Sequence, residues 1–187
     1  IVAYRLGDYE TAEEKYRDAI KVQRDALAVE ETDFPYERLA HTLCALAKML
    51  SDLKDRAKEV EPLFVESIWE AHLQDNPELF YPQYADTLLY YANFLSKRDP
   101  VAAEDYYLKA LNVFRSQVLK YRMIFKPVLS QILLSLSLLY SDMGRDADTI
   151  CFLKESAEIM ETLVPGNPDF YLYKLCYIYF QLGMLNK

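Results

Sequence analysis

Residues 84–114 read YADTLLYYANFLSKRDPVAAEDYYLKALNVF. The stretch predicts two amphipathic helices joined by a short break over residues 96–100. In the second helix Ala103, Tyr107 and Ala110 are spaced four and then three residues apart, which puts them on one helical face. Small side chains let a neighbouring helix come close, and the ring between them fills the space that remains. Tyr91, Ala92 and Leu95 give the first helix a matching face with its own small residue.

The same arrangement recurs along the chain. The small–aromatic–small triple returns as Ala12, Tyr16, Ala19, as Val60, Phe64, Ser67 and as Thr149, Leu153, Ser156. The leading-helix triple returns as Leu46, Ala47, Leu50, as Leu136, Ser137, Tyr140 and as Leu175, Cys176, Tyr179. The small residues of the leading helices fall at 47, 92, 137 and 176, in steps of 45, 45 and 39. Those of the second helices fall at 12, 60, 103 and 149, in steps of 48, 43 and 46. A period of this size points to a stacked array of helical hairpins.

These motifs resemble the tetratricopeptide repeat family, whose signature pairs a leucine–small–aromatic helix with Gly-Asp-Tyr and Ala-x3-Phe-x2-Ala. Gly7-Asp8-Tyr9 with Ala12, Tyr16 and Ala19 matches best, and Gly144 and Gly183 stand at the same turn position. The resemblance covers nearly the whole chain. The family's usual period is about 34 residues, and the excess here resembles the long repeats of kinesin light chains. Trp-x2-Leu-Gly is absent, and Asp55 and Arg98 stand where the turn glycine would be. The resemblance implies an all-α fold, a right-handed α-solenoid of antiparallel helix pairs. It implies a single array over 1–187, with units near 1–30, 35–74, 79–121, 126–163 and a partial one at 168–187.

Local signals set the expected helix limits. Ile1 to Leu6 reads as the end of a helix. Gly7 suits a tight turn and Asp8 an N-cap. A helix is expected from Tyr9 to about Val29, its Glu10, Glu13 and Glu14 solvated near the positive end. Glu30 to Phe34 is a break, and Asp33 and Pro35 start a helix to Leu53. The next is expected from Val60 to Leu73, with Pro62 near its start. Asp75-Asn76-Pro77 breaks the chain and Pro82 opens the following helix. Asp99 caps and Pro100 opens a helix that runs to Tyr121. Met123 to Phe125 is a connection and Pro127 begins the next helix, which is buried over Ile132 to Tyr140 and ends at Gly144. Ala147 to Leu163 and Asp169 to Leu182 follow, separated by Pro165-Gly166-Asn167-Pro168, and Gly183 turns the chain. The apolar final helix needs a cover, since a terminal repeat requires a polar outer face. Further chain is expected there, so the sequence reads as a fragment; self-association through this helix is the other means of covering it.

Composition narrows the function classes. The 187 residues are 52% apolar and 27% charged, which suits a folded domain with a real core. A net charge of −8 argues against nucleic acid or an anionic membrane as partner. No apolar run is long enough for a membrane helix. Cys44, Cys151 and Cys176 are odd in number and far apart, which excludes a full disulfide framework. They read as reduced, small apolar core or groove residues of a cytoplasmic protein. No glycine-rich phosphate loop and no HExxH motif occurs. His41 and Cys44 share a helix face, but two ligands do not make a structural metal site. Trp69 and His72 read as surface and packing residues. No cofactor, metal or catalytic residue is expected.

The family resemblance also implies where a partner would bind. Its leading helices line a concave face, which here maps to His41, Cys44, Lys48, Ser51 and Asp52, then Asp86, Leu89, Tyr90, Asn93 and Lys97. Gln131, Leu134, Ser135 and Leu138 follow, and then Tyr173, Lys174 and Tyr177. The implied function is a scaffold that binds a protein or peptide there, with Asn93 on the peptide backbone and Lys48 and Lys97 on its carboxylates. A regulatory module, or a helical appendage of an enzyme, is the alternative. The family's carboxylate clamp is not matched, because Cys44, Leu89, Leu134 and Tyr173 stand where it needs basic side chains.

Overall fold

In a computed structural model the chain is described over residues 7–29, 36–53, 55–72, 77–121 and 124–185, with side chains at 37, 71–72, 77–83 and 117–121 excepted. Expectations for Ile1 to Leu6, the 30–35 break, Leu73, Asp75, Asn76 and Met123 lie outside these residues, as does the His72 side chain. Among the described residues there are eight α-helices, packed in adjacent pairs, and no strand. They are α1 (Tyr9–Leu27), α2 (Tyr36–Ser51), α3 (Ala57–His72), α4 (Pro77–Leu95), α5 (Pro100–Tyr121), α6 (Lys126–Asp142), α7 (Asp146–Leu163) and α8 (Pro168–Leu185). A single 3-10 turn, Val164–Gly166, joins the last two. The chain divides into two compact units, residues 1–91 and 92–187.

In the first unit, Asp8 caps α1 by accepting a 3.1 Å hydrogen bond from the Thr11 N–H. Gly7 has φ +81°, which glycine adopts without strain. Asp55 has φ +65°, so the residue standing in the glycine slot still takes the left-handed turn. The core of α2 is Leu39, Ala40, Leu43, Leu46, Ala47 and Leu50. On α3, Val60, Phe64 and Ser67 are fully buried, as the spacing requires. Ser67 shows how close the helices come: its hydroxyl donates 2.7 Å to the Ala40 carbonyl of α2. The Phe64 ring meets Tyr91 of α4 at 5.4 Å, within the range of favourable aromatic pairs.

Two helices of this unit start earlier than expected. The α3 helix begins at Ala57 rather than Val60, which places Pro62 inside it. Its missing N–H therefore removes a bond to the Lys58 carbonyl. Similarly, α4 begins at Pro77, so Pro82 lies within the helix instead of opening it.

The second unit contains the end of α4 and the helices α5 to α8. Asp99 caps α5 through a 3.0 Å bond from the Ala102 N–H. Ala103, Tyr107 and Ala110 are all buried, as are Leu111 and Phe114. At the end of α6, Gly144 takes φ +70°. The Arg145 N–H donates 2.8 Å to the Tyr140 carbonyl and the Gly144 N–H donates 3.0 Å to that of Ser141. Those two bonds form a Schellman motif. The small-residue contact seen in the first unit recurs between α6 and α7. Ser156 donates 3.0 Å to the Ser130 carbonyl, and the two hydroxyls lie 2.8 Å apart. Below them Leu153, Ala157, Met160 and Leu163 pack on Leu175 and Ile178 of α8.

The last helix differs from expectation at Gly183. It continues through that residue to Leu185, so Gly183 is not a turn. Cys176 and Tyr179, expected on a packed face, are exposed.

Candidate functional site

The sequence-predicted inward residues of the first unit come from α2 and α4. The Lys48 ammonium rests over the Tyr90 ring, 4.0 Å from its centroid, in cation–π geometry. Asp86 lies four residues before Tyr90 on the same face of α4 and is half-buried. Burial pushes its carboxyl up to about 6, against the pull of nearby Lys48. Cys44, one turn before Lys48, is buried. Burial drives its thiol up to about 11, opposed by a hydrogen bond with Thr87. Cys44 therefore belongs to the packed layer beneath the surface and does not line an open groove. Leu89 is buried there too, whereas His41 and Asp52 are exposed. Ser51 is half-buried and donates to the Lys48 carbonyl at 2.7 Å.

In the second unit the Tyr107 hydroxyl of α5 donates a 2.6 Å hydrogen bond to Asn93 Oδ1 of α4. Burial raises the Tyr107 phenol to about 12, with Ser135 and Ser96 as opposing hydrogen-bond partners. Asn93 itself is exposed, and the bond from Tyr107 to its Oδ1 sets the direction of its amide. Lys97 and Gln131 are exposed, Leu138 is 40% exposed, and Leu134 packs against the core shared by α7 and α8. On α8, Tyr173 is 77% exposed and Tyr177 37%. Lys174 lies 4.5 Å over the Phe170 ring. These residues share an exposed aromatic face with Phe180 and Met184.

Cys151 and Cys176 are exposed and all three cysteines are free, so only Cys44 is a core residue. Trp69 is at the surface. Among the described residues no group of three or more His, Cys, Asp or Glu could hold a metal. No described helix is long and apolar enough to cross a membrane.

A set of ion pairs between consecutive hairpins was not legible in the sequence. Glu13 is not simply solvated. It receives Arg56 at 2.8 Å and Arg17 at 2.8 Å, and Arg56 holds its carboxyl below the usual range. Glu104 repeats the role in the second unit, accepting from Arg145 and from the Tyr140 hydroxyl, each at 2.8 Å. In both cases the acid directly follows the small residue of a second helix, Ala12 or Ala103. Glu61, which follows Val60, accepts from the Tyr91 hydroxyl at 3.2 Å. In three of the four second helices an acid stands at this place, and in the fourth Ile150 follows Thr149. A concavity of about 240 Å³ also opens among α1, α2 and α3, edged by Arg17, Lys21 and Arg24 with Ile20, Leu46 and Leu63 behind. Arg17 and Arg24 are already paired, with Glu59 and Glu66.

The fold is similar to that of BtubC (BKLC) from P. vanneervenii, with a TM-score of 0.72 and 15% sequence identity. The match covers 95% of this chain and 65% of that protein, so this chain spans about two thirds of its length. No family model and no curated protein sequence matches the chain. Helices packed in adjacent pairs and this structural likeness together support a tetratricopeptide-like helical repeat fold.

Proposed function

We propose that this chain is a binding module, a scaffold that holds a protein or peptide against the inward residues of its leading helices. It works by presenting a rigid surface and not by catalysis. Its long repeats resemble those of the kinesin light chain type of the tetratricopeptide family, and a cytoplasmic setting suits its free cysteines.

The observation that carries the reading is the 2.6 Å bond from Tyr107 to Asn93. A buried tyrosine fixes an exposed amide in one orientation, which leaves its N–H2 group free to donate to a peptide carbonyl. Because the amide is ordered before the ligand arrives, binding does not have to order it. In the first unit Lys48 and Tyr90 are similarly held by each other. Lys97 and Gln131 supply exposed polar contacts, and Leu138, Tyr173 and Tyr177 supply apolar ones.

Peptides selected on the wild-type chain from a displayed library test this. Tyr90→Ala, and Asn93→Ala with Lys97→Ala, are made separately and together, with folding checked by circular dichroism. Loss of affinity by about tenfold or more, equal to about 1.4 kcal/mol, is expected for peptides seated on the altered unit. Folded variants that bind every selected peptide at wild-type strength would contradict the reading.

A further inference from the structure

The first unit's face indicates the chemistry of its ligand, because the protein has already placed a cation in it. Lys48 extends from α2 so that its ammonium sits 4.0 Å above the Tyr90 ring of α4. Asp86, one turn earlier on α4, is half-buried, and Lys48 is its charged neighbour. Burial and the charge of Lys48 are the two influences on its carboxyl, and no hydrogen bond from a described residue is among them.

Three features favour an exchange of this internal cation for an external one. Lys48 is exposed and on a flexible stem, so it can leave at little cost. An ammonium over a ring uses only the ring's face and the carboxylate's charge. A guanidinium would stack flat on Tyr90 and bond Asp86 through two N–H groups, a geometry Lys48 cannot reproduce. Finally, the chain carries a net charge of −8, which attracts basic segments over distance.

We infer that the α2–α4 face of the first unit binds a basic peptide segment, taking an arginine side chain between the Tyr90 ring and the Asp86 carboxylate with displacement of Lys48. The inference rests on the reading that this face binds peptide, and it sets the sign of the ligand's charge. It reverses the role expected for Lys48, which becomes a resident competitor and not a carboxylate receptor.

The test uses two short acetylated, amidated peptides, an Arg-Ala repeat and a Glu-Ala repeat. Each is titrated into the 15N-labelled chain at fixed ionic strength. Saturable amide shifts on α2 and α4 around Lys48, Asp86 and Tyr90 are expected with the arginine peptide and not with the glutamate peptide. Asp86→Asn, which keeps the size and removes the charge, should weaken the arginine peptide about tenfold. Lys48→Met should strengthen it severalfold. Glu10→Gln, the same loss of charge at an exposed site on α1, should change affinity less than about twofold. If Asp86→Asn and Glu10→Gln have equal effects, the attraction is only long-range and the inference fails. If the glutamate peptide alone shifts these residues, the face binds peptide but the inference is wrong. If neither shifts them, both the inference and the peptide reading of this unit fall.

Discussion

Replacing Asp86 with asparagine should make the protein more stable at neutral pH. The folded state holds the Asp86 proton up to about pH 6, whereas in the unfolded chain the group ionises near its ordinary value of 3.8. Between those values the folded state binds more protons, so stability falls as pH rises through this window. The full difference would be worth about 3 kcal/mol above pH 6. Asp86 is only half-buried, and solvent at the carboxylate reduces this to about 1–2 kcal/mol. Asparagine fills the same volume with no charge to desolvate. Urea denaturation of both proteins at about pH 5 and about pH 7.5 measures the effect, and the gain at the lower pH should be about half that at the higher. A variant that loses more than about 1 kcal/mol at the higher pH would refute the reasoning. It would mean that attraction to Lys48 outweighs the cost of burial. A carboxylate kept at a cost in stability fits a role in binding.

Three other outcomes are expected. Ser156→Val should destabilise the second unit by about 1–3 kcal/mol, read as a lower melting temperature, because the added methyl group meets the Ser130 backbone. In the folded protein a thiol reagent should label Cys151 and Cys176 quickly and Cys44 only on unfolding, since Cys44 is buried and its thiol is raised to about 11. Glu13→Gln should cost at most about 1 kcal/mol and less at high salt, because its arginine partners are partly exposed. The Glu13 contribution is present above its ordinary pKa of 4.5 and is lost as pH falls through the lowered folded value.

Much of the fold was legible because it follows from side-chain size. Val60, Phe64 and Ser67, and likewise Ala103, Tyr107 and Ala110, are buried where a 3.6-residue period puts them. Asp8 and Asp99 cap their helices because capping is local. Proline was less informative, since Pro62 lies inside a helix whose remaining contacts outweigh one lost bond. Gly183 was misread as a turn: glycine permits a turn but does not require one, and α8 continues past it. At the candidate site the helical face of Lys48 and Tyr90 could be read, but their contact could not, because it depends on how far apart two helices pack. Cys44 is core and not groove, the two places the sequence allowed it, for the same reason. It shares a face with Lys48, yet α4 lies near enough to cover it. The arginine bridges to Glu13 and Glu104 join residues some 40 positions apart. The acids recur with the repeat, but which arginine reaches each one depends on how the hairpins pack.

The most direct measurement is a crystal structure of the chain bound to a peptide selected on it. Density for the peptide beside Tyr90 and Asp86, or beside Asn93 and Lys97, is the expected result. A peptide seated instead on the outer surfaces of α3, α5 or α7, with both inward faces empty, would contradict it.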